Sequence, residues 1–294
     1  METLGLLRRA ARSAVTLARQ AAAERVFAPA SPELPRGDAA LLAALRAEGC
    51  ARTTLADLAL PGTDGFRAAA EHAVAALSAG ALCDLGYEGE SAFARNLAFA
   101  KTAQIAPALV CFGLNERLLD LAEHYVRLPV AFLGVDVRRD APRAPALGSR
   151  RWHRDREDLR ELKVIVYLSD VDESSLAFEY ASLAGTPLIL PSLLDDEEME
   201  RRIPRELWRP CFGPRETVIV AATSRVFHRA RSATSMPERE RTVAVFTYTS
   251  AAPLDPARCH GHFDDAARAV IEPDLTPRQR AALYWDSGKT TPAS

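Results

Sequence analysis

The chain has 294 residues, 48% of them hydrophobic and 26% charged, which is the composition of an ordinary globular protein with a substantial core. Its formal net charge of −2 argues against binding to nucleic acid or to an anionic membrane surface. No apolar run approaches the roughly 18 residues of a membrane-spanning helix, and the five scattered cysteines have no CxxC spacing, so we expect a reduced, cytoplasmic protein.

The N-terminal segment predicts an amphipathic helix. Its apolar residues, which include Leu4, Val15 and Val26, step by three or four positions, and its arginines lie largely off that stripe. An arginine-rich start of this kind is also typical of a transit peptide or of a helix on a membrane surface. We favour a helix that packs on its own domain and leave the alternatives open.

Up to residue 127 the sequence is predicted to be mainly helical. Two helices are expected to end at Gly49 and Gly80, and a third to begin after Asn115, because asparagine caps helix N-termini. The predicted helices span 31–49, 63–80 and 114–128.

From Leu128 onward, short β-branched or aromatic runs bounded by Gly, Pro, Asp or Ser predict strands. Helices are predicted only at 195–207 and 274–285, so the strict βαβ alternation of a doubly wound sheet is absent. We therefore predict an α+β fold, with an antiparallel barrel or sandwich fronted by N-terminal helices and closed by a C-terminal one. The predicted strands span 128–136, 162–170, 186–190, 216–222 and 242–249.

A histidine and an aspartate stand just ahead of the strand at 162–170. His153 and Asp155 are separated by one residue, so on a strand both point to one face while Arg154 points away. His-Arg-Asp also occurs in kinase catalytic loops, but here no asparagine follows at the required offset and no Gly-rich loop precedes it. Two ligands of a metal is the better interpretation, although the pair alone is weak evidence.

Two residues further along the chain, His228 and Arg241, support the metal interpretation. The Fe(II) site built from two histidines and one carboxylate needs a second histidine from a neighbouring strand, and His228 follows the strand at 216–222. Arg241 opens the next strand. A buried arginine beside such a metal can pair with the distal carboxylate of a dicarboxylate whose other end chelates iron.

Two segments carry a family resemblance, and they read WHRD…LKVIVYLSDVDESSLAFEY and ATSRVFHR…ERTVAVFTYTS. Together they resemble the phytanoyl-CoA dioxygenase family of Fe(II)/2-oxoglutarate oxygenases over about residues 128–250. The resemblance implies a double-stranded β-helix, which is a jelly-roll or cupin-like barrel, with Fe(II), 2-oxoglutarate and O2 as cofactor and cosubstrates. It implies that His153, Asp155 and His228 hold the iron. It also implies that Arg241 binds the far carboxylate of 2-oxoglutarate, with Arg239 as the alternative.

The same resemblance assigns two more residues to the cosubstrate pocket. Tyr167 occupies a position whose aromatic side chain faces the cosubstrate in similar enzymes, and Lys163 shares its strand face.

We expect one domain over residues 1–294, mainly helical over 1–127, a β-barrel over 128–250 and helical again over 251–294.

The predicted activity is oxidation of an unactivated C–H bond of a small molecule, with release of succinate and CO2. Asp155 is retained where related halogenases have a small residue, so we expect a hydroxylase. The Ala- and Arg-rich, Lys-poor composition favours specialised-metabolite biosynthesis; acyl-CoA hydroxylation and a silent metal-binding barrel acting as a binding module are the alternatives.

Arginines just before His153, such as Arg138 and Arg139, either attract an anionic substrate or form a solvated loop, and the oligomeric state stays open.

Overall fold

The computed structural model describes residues 15–79, 94–97, 99–141, 148–186, 193–231, 239–259, 269–272 and 275–285. Within these ranges the strands are β1 (Cys50–Thr54), β2 (Ala94–Leu97), β3 (Val130–Asp140), β4 (Trp152–His153), β5 (Leu162–Tyr167), β6 (Phe178–Ala181), β7 (Leu193–Leu194), β8 (Trp208–Cys211), β9 (Thr217–Ala221), β10 (His228–Ala230) and β11 (Arg241–Ser250). They form a six-stranded sheet in the order β1-β9-β5-β11-β3-β2 and a five-stranded sheet in the order β7-β4-β10-β6-β8. All pairings between these strands are antiparallel.

The two faces of the larger sheet bury different sets of side chains. Val164 of β5 and Phe246 of β11 belong to the core shared with the helices. Ile165 and Val243, on the alternate positions, pack with Phe178 of the smaller sheet. Because side chains alternate along a strand, one face of this sheet carries the helices and the other closes the barrel. The predicted α+β architecture is confirmed.

The helices within the described ranges are α1 (15–24), α2 (Arg36–Glu48), α3 (Leu55–Leu58), α4 (Thr63–Ser78), α5 (Phe99–Ile105), α6 (Pro107–Gly113), α7 (Glu116–Val126), α8 (Asp196–Glu200) and α9 (Pro277–Leu283). As predicted, the Asn115 side chain caps α7 by accepting a hydrogen bond from the Arg117 N–H. Gly49 ends α2 at φ 83°, and a Cβ there would lie 2.2 Å from Cγ1 of Val226. Both the left-handed backbone and the close approach therefore require glycine at this position.

Two predicted elements differ from the structure. The mainly helical N-terminal part contains the edge strand β1, a five-residue run after Gly49 that pairs with β9 and is too short to show a clear pattern. The helix predicted over 195–207 ends after Glu200, because Pro204 cannot continue it, and Arg205–Leu207 forms a 3-10 turn. Of the strand predicted over 186–190, residues 187–190 lie outside the described residues.

Helix α1 packs on its own domain, but through a polar side chain. Val15 and Val26 of the predicted apolar stripe are exposed, whereas Gln20 is buried. The Gln20 amide donates to Asp158 Oδ1 at 2.8 Å and to the Ala252 carbonyl at 2.8 Å. The expectation that the apolar stripe faces the domain is therefore wrong for the described part of this helix, because satisfied hydrogen bonds hold the opposite side. None of the helices in the described ranges has the length and hydropathy needed to cross a bilayer.

Candidate metal centre

His153 and His228 face each other on neighbouring strands of the smaller sheet. Strands β4 and β10 are antiparallel, and their register pairs these two residues directly. The ring centroids lie 4.2 Å apart, and the Phe178 ring stacks on His228 from β6 with a centroid distance of 5.6 Å. Cross-strand partners on one face are the closest neighbours that a sheet provides, so strand pairing brings the two imidazoles together.

The residues next to the two histidines in the sequence point to the opposite face of this sheet. The Arg229 guanidinium lies 4.4 Å from the Trp152 ring centroid, and the Trp152 indole N–H donates to Asp196 Oδ1 at 3.1 Å. Arg154 lies 4.8 Å from the centroid of the Phe227 ring. Arg154 therefore points away from the histidines, as the alternation predicts.

Each histidine presents its Nε2 atom to the shared space. Nδ1 of His153 lies 2.8 Å from the Arg151 carbonyl, and Nδ1 of His228 lies 3.3 Å from the Val226 carbonyl. A carbonyl can only accept a hydrogen bond, so these contacts place the proton on Nδ1 and leave the Nε2 lone pair available. This backbone arrangement orients imidazoles that bind metals.

Asp155 completes the cluster. Its N–H donates to the Thr223 carbonyl at 3.1 Å, which fixes the segment after β4 against the turn after β9. Its Oδ1 lies 3.8 Å from Nε2 of His153, and its Oδ2 lies 3.8 Å from Nε2 of His228. One ligand atom from each of the three residues lies within 4.8 Å of the others. The structure thus brings together the three predicted ligands, and this donor set suits Fe(II) with coordination positions left open.

Lys163 holds the Asp155 carboxylate. Its Nζ lies 2.6 Å from Asp155 Oδ2 and 3.3 Å from a Glu161 carboxylate oxygen. Burial alone would raise the pKa of Asp155, but Lys163, His228 and His153 outweigh it and lower that pKa, so the carboxylate is charged. Lys163 shares a strand face with Tyr167 as predicted, but its ammonium contacts Asp155, one of the three predicted metal ligands. In the β5–β11 register it pairs with Thr247, about 20 Å along the strand from Arg241.

Burial keeps His228 neutral. Removal from solvent, aided by the neighbouring His153, lowers the pKa of His228 to about 3 against the opposing effect of Asp155. A neutral imidazole is the form that binds a metal. His228 therefore needs to lose no proton before it binds a cation at neutral pH.

Two further carboxylates, those of Glu157 and Glu161, lie beside Asp155, and neither was predicted from the sequence. Asp155, Glu157 and Glu161 offer carboxylate oxygens within 4.8 Å of one another. Glu161 is buried, and within the described residues its Oε2 has no hydrogen-bond partner. Burial and the charge of Asp155 raise the pKa of Glu161, which favours its protonated form. Strand alternation was the available signal, because it places Glu161 on the face of Lys163.

Arg241 lies inside the barrel, paired with Asp140. The β11–β3 register sets the two residues opposite each other, and Nε and Nη2 of Arg241 donate to Oδ2 at 3.1 and 2.5 Å. Arg138 donates to Oδ1 at 2.5 Å. Burial alone would raise the pKa of Asp140, but Arg138 and Arg241 outweigh it and lower that pKa, so the carboxylate is charged. Asp140 was not predicted from the sequence.

Arg239 lies at the surface instead. Its side chain is 54% exposed, donates to Ser174 Oγ at 2.7 Å and pairs with Asp172. Of the two arginines predicted for 2-oxoglutarate, only Arg241 projects into the barrel.

The Tyr167 hydroxyl is engaged with backbone of the smaller sheet. It donates to the Cys211 carbonyl at 2.7 Å and accepts from the Phe178 N–H at 3.1 Å. The residue is fully buried. Burial raises the pKa of Tyr167, and the nearby charge of Arg241 opposes that rise. In the β5–β11 register Tyr167 pairs with Val243, two residues from Arg241.

Three arginines of the predicted basic segment before His153 have partners within the fold: Arg138, Arg139 and Arg150. Arg139 pairs with Glu240 at 2.6 Å, and Arg150 donates to the Ala141 carbonyl at 2.7 Å. Arg143 lies outside the described residues. Arg138 and Arg139 each have a carboxylate partner, and the attraction of an anionic substrate by this segment stays a prediction.

Solved structures share this architecture. AviO1 from Streptomyces viridochromogenes Tue57 superposes with a TM-score of 0.52 at 20% identity, over 76% of this chain and 98% of AviO1. The non-heme alpha-ketoglutarate-dependent epimerase SnoN from nogalamycin biosynthesis gives 0.51 at 15% identity, over 74% of this chain and 84% of SnoN. The carbocyclase SnoK from the same biosynthesis gives 0.50 at 18% identity, over 74% and 85%.

This chain has their fold. The predicted jelly-roll barrel with accompanying helices is thereby confirmed. No family model matches the sequence, and none of the curated proteins does. Membership of the phytanoyl-CoA dioxygenase family stays a prediction.

Proposed function

We propose that this protein is an Fe(II)- and 2-oxoglutarate-dependent oxygenase that oxidises a small molecule. The observation that carries the proposal is the convergence of His153, Asp155 and His228, with both Nε2 lone pairs free and facing the carboxylate. The shared fold supports it, because SnoN was solved in complex with Fe3+, alpha ketoglutarate and nogalamycin RO.

The roles of the residues follow from their contacts. His153, Asp155 and His228 would hold the iron, and Lys163 fixes the orientation of Asp155. Arg241, which is buried inside the barrel beside Asp140, would bind the distal carboxylate of 2-oxoglutarate through its planar guanidinium. When bound, iron, 2-oxoglutarate and O2 together supply the power to oxidise a C–H bond, with succinate and CO2 as by-products. The chain positions these groups and excludes water.

The outcome at the substrate carbon is the finer part of the proposal. Asp155 keeps the carboxylate that related halogenases lack, which favours hydroxylation. SnoN and SnoK are an epimerase and a carbocyclase on this fold, so epimerisation and ring closure are alternative outcomes. Their origin in nogalamycin biosynthesis supports a specialised metabolite as substrate. Acyl-CoA is less favoured, because Arg138 and Arg139 are paired within the fold.

Succinate formation tests both the class and the substrate. The purified protein with Fe(II), 2-oxoglutarate and O2 is screened against a panel of small metabolites, with succinate measured for each. We expect iron-dependent succinate release that a true substrate stimulates and that His228→Ala abolishes. His72→Ala, at an exposed position on α4, is the matched control and should leave it unchanged. Succinate release that persists in His228→Ala would overturn the assignment.

A further inference from the structure

A cavity of about 250 Å³ lies outside the metal cluster. It is bounded by Arg46 near the end of α2, by Tyr125 and Arg127 at the end of α7, and by Arg160 before β5. Arg225, in the turn between β9 and β10, closes it. Four arginines and a tyrosine thus surround one small space.

The positive charge of this cavity is only partly neutralised. Arg160 pairs with Glu24 at 2.7 Å. Among the residues that the structure describes, neither Arg127 nor Arg225 has a side-chain hydrogen bond or ion pair. Four guanidinium groups therefore line the cavity, with the carboxylate of Glu24 on Arg160 and that of Glu161 within electrostatic range of Tyr125. Such an excess of charge in a concave site attracts an anion.

Tyr125 adds a donor without a partner. The residue is 6% exposed, and within the described residues its hydroxyl has no hydrogen-bond partner. Burial raises the pKa of Tyr125 to about 12, although Arg225 and Arg160 oppose the rise, so the O–H group is intact at neutral pH. Buried polar groups are normally satisfied, and an anion in the cavity would satisfy this one.

Contacts with the C-terminal end of α7 account for two of the four arginines that line the cavity. Arg46 donates to the His124 carbonyl at 2.7 Å and Arg160 to the Val126 carbonyl at 2.9 Å, and cations are favourable at the C-terminus of a helix such as α7. Among the described residues, these contacts leave the exposed Arg127 and Arg225 and the buried Tyr125 hydroxyl without a protein partner.

We propose that this cavity binds the phosphate group of a small molecule, held by Arg127 and Arg225 and by the Tyr125 hydroxyl. The arginine fork matches phosphate oxygens in geometry as well as in charge, and a neutral tyrosine donates a further hydrogen bond. Leu45 and Leu183 line the same cavity and offer apolar surface to the organic part of a phosphate monoester. Inorganic phosphate would use the polar contacts alone.

Calorimetric titration of the full-length protein with inorganic phosphate, at low ionic strength in a phosphate-free buffer, tests the site. We expect saturable binding that Arg225→Gln and Arg127→Gln each weaken roughly tenfold or more. Tyr125→Phe, which changes no charge, should weaken it by about three- to tenfold. The matched control is Arg201→Gln on α8, because Arg201 is exposed and paired only with Glu197 among the described residues; its affinity should equal that of the wild type.

A second titration with glycerol 3-phosphate separates the two sources of the group. Tighter binding of the ester identifies a phosphorylated metabolite, and equal binding identifies the free anion; both results support the site. The proposal is overturned if the wild type shows no saturable phosphate binding at millimolar concentrations. It is also overturned if Arg201→Gln weakens binding as much as Arg225→Gln does, or if Tyr125→Phe binds as tightly as the wild type.

Discussion

His153 and His228 lie directly opposite each other on antiparallel strands, with ring centroids 4.2 Å apart and each Nδ1 turned to a backbone carbonyl. The pairing of β4 with β10 therefore sets the spacing of the two imidazoles, and local backbone sets their orientation. Asp155 closes the third side from the segment that follows β4.

Replacement of Asp155 by alanine removes the carboxylate of the triad. Even contacts outside the ligand shell change metal affinity by about 10- to 100-fold, so we expect loss of a ligand to weaken iron binding by more than about 100-fold. Iron titration and succinate release measure the effect. Asp64→Ala, whose side chain is 97% exposed on α4, is the control. Wild-type iron affinity in Asp155→Ala would contradict the ligand assignment.

Lys163→Met tests the contact behind the metal centre. The substitution leaves the half-buried Asp155 carboxylate without its ammonium partner, so the metal-free protein should lose about 1–3 kcal/mol of unfolding free energy. A bound divalent metal supplies the missing positive charge and should reduce this loss. Urea unfolding with and without Fe(II) measures both effects, with the exposed Lys101→Met as control. An equal loss in both conditions would show that Lys163 does not act through the metal ligand.

Arg241 and Arg239 can be distinguished by conservative substitution. Arg241→Lys keeps the charge beside Asp140 but removes the planar fork, and we expect the KM for 2-oxoglutarate to rise by about tenfold or more with little change in the KM for the substrate. Arg239→Lys, at an exposed position, should leave both values unchanged. Steady-state kinetics of succinate release decide the matter, and the reverse pattern would assign 2-oxoglutarate to Arg239.

Acid should destabilise the metal-free protein through His228. Its pKa falls from the ordinary 6.5 to about 3 on folding, so the unfolded state binds the proton more readily. Stability is then fully present above pH 6.5 and is lost as the pH falls from there toward 3. Between pH 7 and pH 5 the loss should be about 2 kcal/mol. Urea unfolding should show this slope in the wild type and in His72→Gln but not in His228→Gln; a slope that survives in His228→Gln would place the titration elsewhere.

The sequence alone predicted the elements with long, regular patterns. The helices α2, α4 and α7 follow from apolar periodicity, and the strands β3, β5, β9 and β11 follow from β-branched or aromatic runs. The three candidate ligands follow from their spacing together with the family resemblance. The strands β1, β4 and β10 lack such a run and depend on pairing with partners far along the chain. The contacts of Lys163 with Asp155 and of Arg241 with Asp140 depend on that register, so they could not be predicted.

Anaerobic titration of the protein with Fe(II) and 2-oxoglutarate tests whether His153, Asp155 and His228 hold a catalytic iron. We expect a weak visible charge-transfer absorption from the iron–2-oxoglutarate chelate, which saturates at equimolar iron. The absorption should be absent in Asp155→Ala, and Arg241→Lys should require more 2-oxoglutarate to reach it. A wild-type protein that binds iron without this absorption would contradict the proposed function, because its metal would then serve structure alone.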